Sequence, residues 1–367
     1  MHVGRRLILV LNCGSSSLKY AGFDGEAVVL RGEIERIGAG GVSDHAAAVA
    51  SVIDELTRRG LGVPRAVGHR LVHGGPAHVE PTPVDDELLA ALQEAIPFAP
   101  LHLPAELRAI AAVRESFGDL LQVACFDTAF HRTMPEVARR LPLPASLNDR
   151  GIRRYGFHGL SYEYIASVLE PAQQRRAVFA HLGNGASMVA VRAGRAVDTT
   201  MGFTPAGGLV MGTRPGDLDP GLVVYLLNHG YDAASLDRLF EHEAGLLALS
   251  ATSSDVKQLL GRRAADPRAA FAIEVFCYHA RKTIGAYAAV LGGLDTLVFT
   301  GGIGEHAAEI RSEICDGLDF LGIELDDRRN HAGERSVERG ACAVFVIATD
   351  EERVIARATQ RLLERAR

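Results

Sequence analysis

The chain has 367 residues, a length typical of two domains, and its 47% hydrophobic and 23% charged residues predict large cores without extended disorder. A formal net charge of −6 excludes a polybasic surface that would hold nucleic acid or anionic lipid. The five cysteines lack zinc-type spacing, and no stretch approaches the ~18 apolar residues of a membrane span or a signal-peptide pattern. We therefore expect a cytoplasmic protein without nucleic-acid or membrane partners.

Short β-rich runs alternate with helical patterns along the chain, which predicts α/β architecture. The predicted buried strands are Leu7–Leu11, Ala66–Val72, Leu121–Phe126, Ala177–His181, Leu294–Thr300 and Cys342–Ala348. The predicted helices are Asp44–Arg59, Pro104–Phe117, Pro220–His229, Pro267–Leu291, Ala307–Asp316 and Glu351–Arg367. The helix from Pro267 has clear end signals, because Asp266 is a typical N-cap and Gly292-Gly293 follow its last residue.

One sequence plan occurs twice. LILVLNCGSSSLKYAGFDG and VFAHLGNGASMVAVRAGR each predict an apolar strand, a tight turn rich in Gly, Ser or Asn, and a second strand. Gly14 and Gly183 lie 169 positions apart, roughly one domain length. The repeat indicates either a duplicated fold with a ligand between its halves or two unrelated β-hairpins, and by itself it does not decide between them.

Both turns concentrate backbone N–H groups and hydroxyls in a small space. Glycine permits the positive φ angles that aim several N–H groups at one anion, so such turns favour phosphate. Lys19 follows the first turn on the second strand of its hairpin. A plain hairpin whose serines bond their own backbone is the alternative for either turn alone.

A third Gly-rich stretch, LVFTGGIGEHAAEIR, predicts a strand that runs into Gly301–Gly304 and then a helix, which suits close approach to a nucleotide. It also fits a dinucleotide fingerprint, with acids at Glu324, Asp326 and Asp327 about 20 residues further on. An NAD-dependent dehydrogenase is therefore an alternative. That class would leave both earlier phosphate turns without a role.

The polar stretch from Asp198 to Pro220 holds Arg214 among glycines, where its guanidinium could fork onto a phosphate. The alternative is a surface loop in which Arg214 pairs with Asp217 or Asp219. Loops as polar as this one and as rich in Gly and Pro are usually functional or disordered, and the flanking apolar residues argue against disorder.

Metal chemistry is indicated by acids rather than by histidines. His69 lies on a predicted strand and His73 directly after it, without a third spaced ligand, which argues against zinc. Asp127 and Glu351 follow predicted strands, and such strand ends line the ligand crevice of open α/β sheets. They favour Mg²⁺, although capping of the next helix is the alternative for both.

Many specific strings now come together in one order. They are LNCGSSSLKY, VGHRLVHGG, PLH at Pro100–His102, FDTAFHRTMP, RYGFHG, HLGNGAS, MGFTPAGGLVMGTRPGDLDP, FTGGIGE and TDEERVIAR. With them the chain resembles the acetokinase family, the acetate kinases, along nearly its whole length.

The resemblance implies a duplicated actin-like (sugar kinase/Hsp70-type) α/β fold. It implies one domain from residues 1–148 plus a C-terminal helix, 353–367, and a second domain, 149–352, that carries the adenosine site, with a nucleotide cleft between them. It further implies reversible phosphoryl transfer between ATP and acetate, with Mg²⁺, or Mn²⁺ as the alternative, in a homodimer. Propionate or another short-chain carboxylate is the alternative acceptor.

The resemblance also assigns residues by motif position. The matched catalytic residues are Arg70, Asp127, His158 and Arg214. Those matching the phosphate turns and adenosine site are Asn12, Ser15, Ser17, Lys19, His181, Asn184, Gly185, Asp255, Lys257, Gly302, Ile303 and Gly304. Asn12, Asp127 and Glu351 match the Mg²⁺ site. The pocket for the acyl methyl matches Val72, Leu101, Phe157 and Pro205.

Some positions depart from the family pattern, and they bear on turnover and nucleotide preference more than on the reaction. Tyr162 stands where a second histidine is usual, Leu103 and His306 where Asn is usual, Ala206-Gly207 in place of Leu-Glu, and Lys257 in place of Arg.

The chemistry of the acceptor favours the same reaction. A carboxylate with a pKa of ~4 is already ionised at neutral pH and needs no general base, only cancellation of charge and in-line positioning. Arg70, Arg214 and His158 suit that task. A sugar or alcohol kinase would need an Asp as base, and Asp127 is the candidate. A non-catalytic ATP-binding scaffold would have no use for paired arginines beside an apolar pocket.

Overall fold

The computed structural model describes residues 7–14, 16–38 and 40–366. Its contacts divide the chain into two units, of which unit 1 comprises Met1–Phe130 with Asp350–Arg367 and unit 2 comprises His131–Thr349. The expected boundaries, after residues 148 and 352, differ from this division. Residues 131–148 belong with unit 2 because they bond to it, as when Thr133 Oγ1 donates to the Ala196 carbonyl at 3.2 Å.

Eleven strands lie within the described residues. They are β1 (Leu7–Cys13), β2 (Leu18–Asp24), β3 (Ala27–Ile34), β4 (Ala66–Leu71), β5 (Thr82–Pro83), β6 (Gln122–Phe126), β7 (Arg176–Leu182), β8 (Ala186–Arg192), β9 (Arg195–Thr199), β10 (Thr296–Thr300) and β11 (Ala343–Val346).

The α-helices of the described chain are α1 (His45–Arg58), α2 (Asp86–Glu94), α3 (Leu103–Phe117), α4 (Glu136–Arg139), α5 (Ala145–Asn148), α6 (Gly159–Val168), α7 (Pro220–Asn228), α8 (Ala233–Arg238), α9 (Gly245–Ser250), α10 (Val256–Arg262), α11 (Pro267–Leu291), α12 (Gly301–His306), α13 (Ala308–Cys315), α14 (Asp327–Ala332) and α15 (Glu351–Arg365). Shorter 3₁₀ or π turns cover Ile96–Phe98, Ala129–Thr133, Pro171–Gln174, Leu239–Glu243 and Asp319–Leu321. In the described part of the chain, no helix is both long and apolar enough to cross a membrane.

The predicted strands and helices are all present, with ends that differ from the prediction by at most two residues within the described range. Asp44 and Asp266 are N-caps whose side chains accept from Ala47 and Arg268 N–H, so these helices begin one residue later than the acid. Arg367, the predicted end of the last helix, lies outside the described residues.

The two sheets repeat one topology. In unit 1 the strand order is β3-β2-β1-β4-β6-β5, and in unit 2 it is β11-β10-β7-β8-β9. In each, a three-stranded antiparallel meander (β1-β2-β3 or β7-β8-β9) is followed by a strand parallel to its first member, β4 or β10. The repeated sequence plan therefore marks a duplicated fold rather than two unrelated hairpins.

The last helix completes unit 1. A Cβ on Gly68 of β4 would lie 2.4 Å from Thr359 Oγ1 and 2.5 Å from Ile355 Cγ2. The helix α15 therefore packs directly on the backbone of β4, and any side chain larger than that of glycine at position 68 would clash with it. Glu351, the first residue of α15, is thereby brought to the end of the sheet where Asn12 and Arg70 lie.

Candidate active site

A row of polar side chains crosses the unit 1 sheet near the ends of its strands. Asn12 of β1 is in register with Lys19 of β2 and Arg70 of β4, so the three side chains share one face. Asp127 follows β6, and its N–H donates to the Leu71 carbonyl at 2.9 Å, which sets it beside Arg70. The structure thus brings together four residues that the motifs singled out.

Arg70 lies in a group of buried and half-buried carboxylates, and it is the only guanidinium in that group among the described residues. Its Nη2 donates to Asp127 Oδ2, and its Nε lies 4.0 Å from Glu351 Oε2. Burial alone would lower the pKa of Arg70, but Asp127 and Glu351 together raise it above its usual value. Burial raises the pKa of Asp127, against the effect of Arg70, and it raises that of Glu351 to about 7 with help from Asp127.

This electrostatic arrangement fits a hard cation. The Oδ1 atom of Asp127 is buried and has no hydrogen-bond partner among the described residues, while Asn12 Nδ2 donates to Glu351 Oε2 at 3.4 Å. No group of three or more His, Cys, Asp or Glu side chains is placed to hold a metal in the described chain. Two carboxylates and an amide suit Mg²⁺, which takes most of its ligands from water and substrate phosphates.

Glu106 of α3 is a buried acid that the sequence reasoning missed. Its two carboxylate oxygens accept the Val72 N–H at 3.1 Å each, and the residue is only 1% exposed. Burial raises the pKa of Glu106 to about 8, although Arg70 opposes this. Its position with Leu103 and Ile110 on one helical face, otherwise apolar, was the available signal. Glu106 fixes the residue two places beyond Arg70.

Two of the assigned acyl-pocket residues, Val72 and Leu101, belong to unit 1. Val72 is 3% exposed, and half-buried Leu101 lies just before α3.

The first phosphate turn is closed by its own backbone and by a helix. Gly14 N–H donates to the Ser17 carbonyl at 2.8 Å, and the buried His45 of α1 bonds the Gly14 carbonyl through Nε2 at 2.8 Å. Ser15, assigned to this turn by motif, lies outside the described residues. His45 was not anticipated, because nothing in its local sequence links it to the turn.

In unit 2, two cationic or donor side chains converge on Gly185 in the second phosphate turn. A Cβ on Gly185 would lie 3.5 Å from His158 Nε2 and 3.8 Å from Arg214 Nη1. Pro205 adjoins them, since Arg214 Nη1 donates to its carbonyl at 3.4 Å. The space above Gly185 is therefore lined by a guanidinium donor and an imidazole nitrogen, a pair suited to a phosphoryl group.

Arg214 is held by a partner that the sequence did not suggest. Its Nε donates to Glu241 Oε2 at 2.7 Å, so the alternative of pairing with Asp217 or Asp219 is wrong. Asp217 instead accepts the Gly208 N–H at 2.7 Å and folds the loop on itself.

His158 and His181 form a stacked pair with ring centroids 4.1 Å apart. His158 precedes α6 in the left-handed region, with φ of 57°. The carbonyl of the preceding Phe157, a buried residue of the assigned acyl pocket, accepts from His131 Nε2 at 2.9 Å. The motif RYGFHG thus carries a buried phenylalanine directly before the stacked imidazole of His158.

A cavity of about 620 Å³ opens beside this turn within unit 2. Its volume suits a nucleotide or a similar small molecule. Predicted site residues that line it are Asn184, Asp255, Lys257, Gly302 and Ile303, joined by Gly183, Val256, Leu260, His306, Ala307 and Glu309. Gly304, also assigned there, does not line the cavity and packs against Phe299 beneath it.

A buried arginine supports this cavity from behind. Arg311 is 1% exposed, and its Nη1 donates to the Gly304 and Glu305 carbonyls at 2.9 and 3.0 Å. Its Nε and Nη2 bond the side chain and carbonyl of Asn330, each at 2.7 Å. Arg311 therefore holds the C-terminal half of α12, and sequence reasoning gave no role to it.

The α/β topology is duplicated, and unit 2 has a nucleotide-sized cavity beside a glycine-rich turn on which arginine and histidine side chains converge. These features define an ATP-dependent phosphotransferase of the actin-like class. The chain belongs to the acetokinase family, whose sequence profile matches residues 27–357. It is thus a phosphotransferase with a carboxyl group as acceptor, and the dehydrogenase alternative is wrong.

Relatives extend over nearly the full length. The acetate kinase of Pseudarthrobacter chlorophenolicus is 44% identical over 380 residues, which cover 96% of this chain and 98% of the relative. The crystal structure of Porphyromonas gingivalis acetate kinase superposes with a TM-score of 0.88 at 37% identity, and that of a Francisella tularensis propionate kinase with 0.91 at 35%. Each covers 97% of this chain and 99% of the other. The predicted fold and family are confirmed.

Proposed function

We propose that this chain reversibly transfers the γ-phosphoryl group of ATP to acetate, giving ADP and acetyl phosphate. The observation that carries the proposal is the convergence of His158 Nε2 and Arg214 Nη1 over Gly185, one residue after Asn184 in the wall of the nucleotide-sized cavity. A nucleotide in that cavity would present its terminal phosphate to these donors.

The surroundings suit an acceptor that is already an anion. Acetate needs no base. Its attack on a phosphoryl group requires cationic groups that offset the negative charges of the carboxylate and of the phosphate. Arg70 and Arg214 are the groups proposed to do so, and His158 donates to the transferring phosphoryl oxygens. Asp127 is poorly suited to be the base of an alcohol kinase, because one oxygen is bonded to Arg70 and the side chain is almost fully buried.

Asn12, Asp127 and Glu351 would hold Mg²⁺. When bound, the ion neutralises charge on the β- and γ-phosphates. Carboxyl groups outnumber the single guanidinium of Arg70 in this group, which supports the assignment. A cation bound there would lower the raised pKa values of Asp127 and Glu351. Ser17 and Lys19 are proposed to contact phosphate from the first turn.

The acyl group is proposed to contact Val72, Leu101, Phe157 and Pro205. Val72 and Phe157 are apolar side chains that are 3% and 1% exposed in their own units, which suits the proposed contact with a methyl group. Propionate is the second candidate acceptor, since one close structural relative is a propionate kinase.

The test is an acyl-phosphate trap. Protein, ATP and Mg²⁺ are incubated with hydroxylamine and acetate, propionate, butyrate, ethanol or glucose, and the hydroxamate and ADP are measured. We expect hydroxamate with acetate, less with propionate, none with the alcohols and none after EDTA. ADP formation with an alcohol but not with acetate would reject the proposal.

We also propose that the protein is a homodimer, with α7 in the interface. None of its nine residues is buried, although it is strongly apolar. Leu222, Val224, Tyr225 and Leu227 are 38–58% exposed. An apolar helix without a buried face is unusual unless another surface covers it.

Sedimentation velocity tests the interface. Val224→Asp should shift a dimer to monomer, because a charge would be buried in an apolar contact. Val137→Asp is the matched control, since Val137 is 89% exposed in the same unit, and it should leave the mass unchanged. A dimeric Val224→Asp variant would reject this role for α7.

A cytoplasmic location is proposed as well. All five cysteines are buried and free, with none in a disulfide, which supports a reducing compartment.

A further inference from the structure

A chain of hydroxyl groups runs behind His158 in unit 2. Ser187 of β8 is fully buried, and its Oγ lies 2.9 Å from His158 Nδ1. The same Oγ is hydrogen-bonded to Tyr162 Oη, a fully buried side chain from the first turn of α6. Neither Tyr162 nor Ser187 is assigned a role by the motifs.

We propose that Tyr162 and Ser187 are positioning residues that hold His158 in the tautomer with its proton on Nε2. The proposal rests on the proposed function, because it explains how His158 comes to be a donor toward the transferring phosphoryl group.

The direction of the chain follows from its far end. Tyr162 Oη accepts the backbone N–H of His181, and burial raises the pKa of Tyr162 well above its usual value, so its hydroxyl keeps its proton. Either hydroxyl of the Tyr162–Ser187 pair can be the donor, and we infer that Tyr162 donates its proton to Ser187 Oγ. Ser187 would then donate its own proton to His158 Nδ1, which would accept. A neutral imidazole that accepts at Nδ1 carries its proton on Nε2.

The tautomer matters because of what Nε2 faces. It lies over Gly185 together with Arg214 Nη1. An N–H there donates to a phosphoryl oxygen, whereas the opposite tautomer would present a lone pair to it. A hydrogen bond to the rear nitrogen of a histidine commonly fixes both tautomer and ring orientation.

The ring is also restrained from its sides. His181 stacks on His158, and Ser161, the residue before Tyr162, bonds His181 Nδ1 at 2.8 Å. Consecutive hydroxyl residues of α6 thus serve two neighbouring histidines. A tyrosine is well suited here, because its phenol stays neutral near pH 7.

Tautomers can be read directly. Long-range ¹H–¹⁵N correlation spectra of protein with ¹⁵N-labelled histidine distinguish Nε2–H from Nδ1–H, and a His158→Gln sample assigns the signal. We expect Nε2–H in the wild type and a mixture in Tyr162→Phe and Ser187→Ala. Ser187→Thr should restore Nε2–H, because it keeps the hydroxyl.

Kinetics supply the second reading. Tyr162→Phe and Ser187→Ala should each lower kcat about tenfold with little change in KM for ATP, a size typical of lost support behind an active-site histidine. The double variant should be no slower than Ser187→Ala, because both substitutions break one chain. Tyr155→Phe is the matched control, since Tyr155 is a buried tyrosine of unit 2 whose Oη donates to the Gly151 carbonyl at 2.8 Å.

Several results would overturn the proposal. They are Nδ1–H in the wild type, an unchanged tautomer in both variants, additive losses, or a loss as large in Tyr155→Phe. Should Ser187→Ala not fold, Tyr162→Phe still decides, because it keeps the ring. A wild type without acyl-phosphate activity would reject the proposed function but leave the tautomer measurement valid.

Discussion

The two sheets of this protein carry different chemistry at matching positions. Across the second, first and fourth strands of each repeat, unit 1 has a row with two cationic side chains and unit 2 a row with two hydroxyls and an imidazole. The rows are Lys19, Asn12 and Arg70 in unit 1 and Ser187, His181 and Thr300 in unit 2.

The difference lies in what surrounds each row. In unit 1, Arg70 lies among Asp127, Glu351 and Glu106, so that three carboxyl groups surround one guanidinium. In unit 2, Ser187 and Thr300 are fully buried and the contacts are hydrogen bonds and stacked rings. The duplicated fold determines where these side chains lie. Their identity determines whether the row takes part in charge compensation, as in unit 1, or in orienting an imidazole, as in unit 2.

The largest effect is expected when an arginine is lost. Arg70→Ala and Arg214→Ala should each lower kcat by roughly 10³ or more in the hydroxamate assay, because such residues offset charge in phosphoryl transfer. Arg→Lys should recover only part, since the planar fork is lost. Arg70→Ala should also cost about 3–5 kcal/mol of stability, because it leaves Asp127 buried and unpaired.

Urea unfolding measured beside the kinetics separates the two effects. The exposed Arg361 of α15 gives a control variant, Arg361→Ala, that should change neither. Near-normal kcat in either active-site alanine variant would contradict the assignment.

The buried carboxyl groups around Arg70 in unit 1 should make the free energy of unfolding depend on pH. Because burial raises the pKa of Glu106 to about 8, the folded protein binds a proton that the unfolded chain releases above about pH 4.5. Stability should therefore fall between about pH 5 and pH 8 and then level off. Asp127 and Glu351, whose pKa values are also raised, add to this decline. Glu106→Gln removes the part that Glu106 causes, so the advantage of the variant over the wild type should grow to the order of 3 kcal/mol at pH 9.

Urea midpoints at pH 5.5 and pH 9 measure this difference. Exposed Glu94→Gln, on α2 of the same unit, should follow the wild type. A Glu106→Gln variant whose difference from wild type is the same at both values would show that Glu106 is ionised throughout.

A smaller effect is expected at the acyl group. One extra methylene in a tight apolar pocket usually changes kcat/KM by ~10–200-fold, so we expect acetate over propionate over butyrate. Val72→Ala should narrow the gap between acetate and propionate, chiefly through a lower KM for propionate. The exposed Val63→Ala serves as control. A wild type that prefers propionate would exclude acetate as the main acceptor and keep the carboxylate kinase assignment.

Local sequence signals predict the helices and strands well, because the residues that begin and end an element lie within or next to it in the sequence. Asp266, Pro267 and Gly292 define both ends of α11 from within a few residues. The glycine-rich turns were likewise visible as turns, and family motifs pointed to Arg70, His158 and Arg214.

Contacts between distant segments were not predictable in this way. Glu241 meets Arg214 from 27 positions away and Glu106 meets Val72 from 34, so only the folded chain pairs them. Gly304 is assigned to the adenosine site with Gly302 and Ile303 by motif position. A helix turns successive residues to different sides, and Gly304 packs against Phe299 instead of lining the cavity.

Unit 2 is continuous from His131 to Thr349, whereas unit 1 depends on a helix encoded after it. During synthesis the strands of unit 1 leave the ribosome first, but the surface of β4 at Gly68 stays uncovered until Thr359 and Ile355 arrive. Unit 2 can therefore complete its contacts while unit 1, whose strands are synthesised first, still lacks its last helix. Glu351 comes with that same closing segment, so the carboxylate cluster around Arg70 is completed among the last events of biogenesis.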